Sequence, residues 1–219
     1  MPQTPNSVAP TALRAQRRLM AVRPGQMEAV NDDLYDSVTY ALAGTTTSYT
    51  FFQSLASKTL ADTNMTLNSQ LPAGLTFEVR AIELHVFPSI NPSAAATVPT
   101  TTAGVNAFIN DIYTLSRNGY LQFNILAKPY LVQAPIGRFP PSQRLEVAAA
   151  LSDTTTAGAT QARSIGYASF GGATFKITPV LLTSNLNFNV QLVFPTTAAI
   201  SADAKIFCVL RGIKNRLSQ

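Results

Sequence analysis

The sequence predicts an all-β protein: an eight-stranded Greek-key β-sandwich of the jelly-roll type, with one short helix and an extended N-terminal arm. Three observations carry that reading. From about Leu34 onward apolar residues recur at every second position, the period of a strand with one face in a core. The longer segments between such runs are rich in Thr and Ala with Pro or Gly interspersed, the composition of exposed connections. A chain of 219 residues also lies in the size range where a β-sandwich forms one domain.

The first 30 residues lack the period of two. A short helix fits 11–22, with Ala12, Ala15, Leu19 and Val22 on one side and Arg14, Arg17 and Arg18 turned away. Half of that stripe is Ala, so residues 1–30 are read as a basic arm ordered by contact with something else. Residues 31–219 are read as the β domain with a basic C-terminal tail. Strands are expected at 35–42, 49–55, 75–87, 120–126, 145–151, 173–182, 186–194 and 205–213.

The run 186–194 is the clearest: Phe188, Val190, Leu192 and Phe194 point one way, Asn187, Asn189 and Gln191 the other. The run 120–126 repeats the pattern after the turn dipeptide Asn118-Gly119. In 75–87 the phase changes between Phe77 and Val79 on one side and Ile82, Leu84 and Val86 on the other, which predicts a bulge at 80–82. In 205–213 both phases are apolar, Ile206, Cys208 and Leu210 against Phe207 and Val209. Such a strand is central in the core or covered by a neighbouring subunit, which makes Phe207 and Val209 candidate interface residues. Phe108, Ile109, Ile112 and Leu115 stand at helical spacing within 105–116. The prolines of 128–143 predict an irregular crossover, and 93–104, 152–162 and 195–202 read as loops.

Only 12% of the residues are charged, about half the usual share, so few ionic groups keep neighbouring molecules apart. The net charge of +5 is unevenly placed. Arg14, Arg17, Arg18 and Arg23 stand in a segment without acids, as do Lys205, Arg211, Lys214 and Arg216, and the body between is mildly acidic. Both ends are therefore candidate contacts for a polyanion such as a genome, for lipid or for neighbouring subunits, without base readout. Apolar runs stay short of a spanning helix, and the opening MPQTPNSVAPTALRAQRR has no apolar leader stretch, so neither membrane insertion nor export is expected. Cys208 is the one cysteine, so folding is expected to rest on packing without an internal disulfide.

Chemistry-bearing motifs are sparse. His85 is the one histidine, in phase with Glu83 and Phe87 and out of phase with the core, where it reads as an outer or interfacial polar residue. Asn31-Asp32-Asp33 with Asp36 could offer oxygens to a calcium ion but lacks the ligand spacing of a calcium loop; it reads better as a turn or cap, as do Asp62 and Asn64. Gly166, Gly171 and Gly172 lack the ending of a phosphate loop, and Gly171-Gly172 reads as a hairpin turn.

The stretches 51–65 (FFQSLASKTLADTNM), 70–82 (QLPAGLTFEVRAI), 187–194 (NFNVQLVF) and 204–216 (AKIFCVLRGIKNR) resemble coat proteins of bacterial viruses. The resemblance implies a jelly-roll capsid protein of a small or membrane-containing phage, its arm facing the particle interior. It would be a virion structural protein that assembles with copies of itself and other capsid proteins, the arm meeting genome, internal membrane or neighbours. Two fused jelly rolls usually need a longer chain, so a single roll and a compact double one both stay open. A spike or decoration protein, or a jelly-roll carbohydrate- or receptor-binding module, is the alternative, although the chain has no Trp for a sugar platform. A hydrolase would need His85 to meet a nucleophile and an acid. No enzymatic activity, cofactor, metal or small-molecule substrate is expected.

Overall fold

Where apolar and polar residues alternate, the chain is extended and its strands pair antiparallel. A computed structural model describes residues 27–87, 102–126, 128–141, 146–156, 159–168 and 174–217; side chains within 102–106, 108–109, 128–132, 146–156 and 159–168 are not described. In chain order the strands are β1 (Met27–Tyr40), β2 (Ser48–Phe51), β3 (Thr76–Phe87), β4 (Tyr120–Ile125), β5 (Lys128–Pro135), β6 (Glu146–Thr156), β7 (Ala159–Ala168), β8 (Phe175–Thr183), β9 (Phe188–Val193) and β10 (Ala204–Leu217). Helix α1 (Thr102–Asn118) joins β3 to β4, and a 3-10 turn, Ile136–Arg138, follows β5. One sheet has the order β1-β10-β3-β8, the other β2-β9-β4-β5, and β6 and β7 form a hairpin.

The inner faces of the two four-stranded sheets make an all-β sandwich. Ile82, Leu84, Ile206, Cys208 and Leu210 come from the first sheet, Leu121, Phe123, Phe188, Val190 and Leu192 from the second. Each fully buried side chain of this size contributes about 1.5–3 kcal/mol. Tyr40, Tyr49 and Phe194 close one end of the core with edge-on rings, Tyr40 and Phe194 at 5.0 Å. Ile112 and Leu115 of α1 are buried, as the helical spacing requires; Phe108 and Ile109 are not among the described side chains.

Four departures from the sequence reading have physical causes. The acidic cluster is not a turn or cap: it runs within β1, which begins at Met27, inside the stretch read as arm. Asp is a weak strand former, and β1 forms because its whole length is paired with β10, whose cations meet its acids. Residues 205–217 are likewise no tail but most of β10. The stretch 152–162, expected as a loop, belongs to the β6–β7 hairpin, since its Thr residues suit strands as well as loops. Within the expected crossover 128–143 lies β5, an edge strand where Pro129 and Pro135 are tolerated. Ten strands are therefore described, eight of them in the sandwich. Gly166 lies in β7, and Gly171-Gly172 falls outside the described residues.

The bulge in β3 falls where the phase change put it. Register shifts between Val79 and Ala81 against β8, and between Arg211 and Gly212 of β10, leaving Arg80 as the extra, exposed residue. Gly212 is required there by space: a Cβ would lie 1.9 Å from the Glu78 carbonyl oxygen and 2.9 Å from the Phe77 ring.

Asp36 points into the sandwich, fully buried. Its carboxylate accepts the Phe52 backbone N–H at 2.6 Å and both of its oxygens meet Lys58 Nζ, at 2.8 and 2.9 Å. Phe52 has φ 65°, and its carbonyl accepts the Ser69 N–H, so one carboxylate organises the whole turn out of β2. The free edge of β1 is covered by the same segment: Asn64 Oδ1 accepts the Tyr35 N–H at 2.9 Å, and the Asn64 amide and Thr63 hydroxyl donate to the Asp33 and Tyr35 carbonyls. An exposed edge that could recruit another strand is thereby occupied.

Gly212→Ala should lower stability by about 1–3 kcal/mol, because the new methyl must displace backbone at the bulge. Urea unfolding measures this, and Gly74→Ala is the contrast: no atom lies within 4 Å of its Cβ position, so its cost comes only from φ 80°.

Candidate interaction faces

The predicted basic residues of β10 all face carboxylates. Lys214 Nζ lies 2.9 Å from Asp32, and Arg216 Nε lies 3.0 Å from Glu28, both acids of β1. Arg211 Nε meets Glu83 Oε1 of β3 at 2.5 Å, with Asp33 at 4.0 Å. Lys205 is hydrogen-bonded to Asp62. The charge that a linear reading assigns to a basic end is thus neutralised within the sheet and, for Lys205, by the adjoining turn. Arg14, Arg17, Arg18 and Arg23 lie outside the described residues.

Phe207 and Val209 occupy the outer face of the same sheet, half-buried, while Ile206, Cys208 and Leu210 fill the core. Being flanked by β1 and β3, β10 is a central strand, one of the two settings its doubly apolar pattern allowed. Phe207 packs edge-on against Phe87 with centroids 5.8 Å apart, and Lys205 Nζ stands 4.9 Å over the Phe207 ring. His85 lies on this face too, its Nε2 at 3.2 Å from Glu83 Oε2 and its ring stacked on Phe87. Fully buried Glu83 therefore sits between His85 and Arg211. The Cys208 thiol is on the opposite side of the sheet, pushed up by burial and then by the Asp36 charge, which keeps it protonated and unreactive.

Among the described residues no three metal-ligating side chains converge. Asp32 is drawn to Lys214, Asp33 faces outward beside Arg211, and Asp36 faces the core. Asp62 serves the turn it was read into, accepting the Thr59 N–H and hydroxyl at 3.0 and 2.9 Å, whereas the Asn64 side chain, read the same way, bonds the edge of β1 instead. A cleft of about 360 Å³ opens between β1, β2 and this segment, lined by Ser37, Thr39, Thr50, Lys58, Asp62 and Lys205 among others. Both lysines are already held by carboxylates, Asp36 and Asp62, so the cleft has no excess positive charge to draw an anion.

On the other sheet, Gln122, Asn124, Gln133 and Asn189 form a hydrogen-bonded carboxamide chain on the outer face. In the sequence these residues are only the polar phase of clean strands, and their signal as a group is that every one is an amide rather than a charge. Lys58, the partner of Asp36, has no sequence signal, because the pairing depends on how the turn 52–69 folds back.

Comparison with protein-family models, with curated proteins and with solved structures finds no match to this chain.

Removing one member of the buried Asp36–Lys58 pair strands the other. Asp36→Ala and Lys58→Met should each cost about 3–5 kcal/mol, and the double variant less than the sum of the two. A double-mutant cycle by chemical denaturation decides it. Asp62 gives a pH signature. Its hydrogen bond from Lys205, then that from the Thr59 backbone, lowers its pKa to about 2, below the unfolded value. The stabilisation is complete above about pH 4 and is lost as pH falls toward 2. Unfolding free energies of wild type and Asp62→Asn, separated by about 1 kcal/mol at pH 7 for a solvent-screened pair, should converge over that interval. Asp33 works with the opposite sign, since burial raises its pKa and its ionisation at higher pH opposes folding.

Proposed function

We propose that the sandwich is a jelly roll and that the chain is a virion structural protein, a coat subunit that assembles with copies of itself and is not an enzyme. The pairing of the eight sandwich strands carries the reading. With the β6–β7 hairpin set aside, the first strand pairs with the last (β1 with β10), the second with the second-last (β2 with β9), the third with the third-last (β3 with β8), and the middle two with each other (β4 with β5). A long antiparallel hairpin wrapped around itself has that pattern, which is the winding of the jelly roll found in viral capsid and lectin domains.

Fold alone does not choose between those uses. The coat-protein resemblance of the segments that supply β3, β9 and β10 favours the capsid, and the absence of Trp disfavours a sugar platform. The low charge content favours close packing of copies. The environment of His85 supports a non-enzymatic reading: its ring bonds Glu83 and stacks on Phe87, and the Cys208 thiol lies across the sheet from it.

Polyanion contact belongs to residues 1–26 in this reading. They hold four of the sixteen basic residues and no acid, so of the net +5 only +1 remains for 27–219, where the β10 cations are paired. Purified protein should form oligomers or particles, seen by light scattering and electron microscopy. Deleting 1–26 should abolish nucleic-acid retention, whose logarithmic salt slope should be no steeper than about −4 for four contacts. Lys205→Ala and Arg216→Ala should leave retention unchanged. A protein that stays monomeric at every concentration and salt is not a coat subunit.

A further inference from the structure

The outer faces of the two sheets are chemically unlike. That of β1-β10-β3-β8 is ionic, carrying Asp33, Glu83, His85, Lys205 and Arg211. That of β2-β9-β4-β5 has no charged side chain among the described ones: Thr50, Gln191, Gln122 and Gln133 lie in register across it, with Asn189 and Asn124 beside them. Gln133 donates to Gln122 at 3.2 Å, Gln122 to Asn124 at 2.7 Å, and Asn124 to Asn189 at 2.9 Å.

We propose that this carboxamide face is where one copy meets a second copy of this chain, face against face; the inference rests on the assembly reading above and names its interface. Each amide has two N–H donors and an oxygen that accepts two bonds. Gln122 gives one donor and one acceptor to its neighbours and keeps one of each for another molecule. A face of such groups is self-complementary under a two-fold rotation, which brings donors over acceptors in both directions. No charge among its described side chains opposes its approach to itself, unlike the ionic face. Gln122, Asn124, Gln133 and Asn189 are already bonded to one another, so they lose little side-chain freedom on contact. The Thr and amide rows of a copy, with the uncharged Tyr120 and Val193 beside them, therefore fit a neutral partner of the same chemistry.

Size sets the strength. Four strands about 4.8 Å apart and about six residues long present roughly 400 Å² per copy. Two faces together bury less than the roughly 1,000 Å² of a lasting isolated dimer, so the contact holds when multiplied in an assembly.

Charge placed on the face tests it. Gln122→Lys with Gln191→Lys, and separately Gln122→Glu with Gln191→Glu, should each weaken self-association at least tenfold in sedimentation velocity, and an equimolar mixture of the two should restore it. Circular dichroism and melting temperature report folding, and Thr50→Lys with Thr50→Glu supply the same swap on the edge strand should the first pair not fold. Charged variants that associate like wild type overturn this face and leave the assembly reading standing. A wild type that never associates overturns both. Charged variants that associate normally but lose retention of a polysaccharide on a glycan array assign the face to a glycan instead.

Discussion

The rest of the sandwich depends on the pairing of the first described strand with the last. β1 and β10 run antiparallel over fourteen residues each, from Met27 opposite Leu217 to Tyr40 opposite Ala204. Nearly the whole chain lies between them, and every other sandwich pair nests inside that closure. The entropic cost of so large a loop rises only logarithmically with its length, but it must be met before the contacts exist. A fold dominated by such distant pairings belongs with slow-folding β proteins. A slip of one residue would turn Leu210 and Cys208 outward and bring Arg211 into the core. The ion pairs Glu28–Arg216 and Asp32–Lys214 mark the same register at the far end of the ribbon, where few apolar side chains are left to specify it.

That register aims Asp36 at the core, and a buried carboxylate must find partners. Lys58 and the Phe52 N–H supply them, and the turn 52–69 follows from the need to deliver both. A buried pair seldom exceeds the stability of an apolar pair of the same volume. Its effect here is positional, since it holds Phe52 at a left-handed φ and brings Thr63 and Asn64 along the open edge of β1. The solvent-facing pairs of β10 are individually worth about 1 kcal/mol or less.

Much of the sandwich was legible because its signal is local. Phe188, Val190 and Leu192 had to share a face in any strand, and the phase change around Arg80 had to be a bulge. The fate of the charges was not local. Lys205, Arg211, Lys214 and Arg216 look like a basic tail when read along the chain, and only the register of β10 with β1 and β3, and for Lys205 the fold of the 52–69 turn, reveals the acids that meet them. Asn31 to Asp36 has turn-forming composition, and cross-strand pairing overrode it. The same ambiguity hid the β6–β7 hairpin, because Thr and Ala suit an exposed strand and a loop alike. Those errors share one cause: composition reports what a segment tolerates, whereas a sheet partner decides what it does.

On the proposed coat-protein reading, the unlike outer faces bear on how copies of one subunit would close a shell. If both were neutral and self-complementary, copies could stack through either face, and a subunit with two such faces on opposite sides propagates into an open-ended column. One ionic face stops that. Copies brought together through Arg211 and Asp33 would have to dry or break charge pairs that now meet water, which costs more than the contact returns. On the proposed reading, stacking would then end after one step, at a two-fold pair through the carboxamide face. Further growth of such an assembly would have to use loops or strand edges, because flat stacking of sheets cannot close a surface.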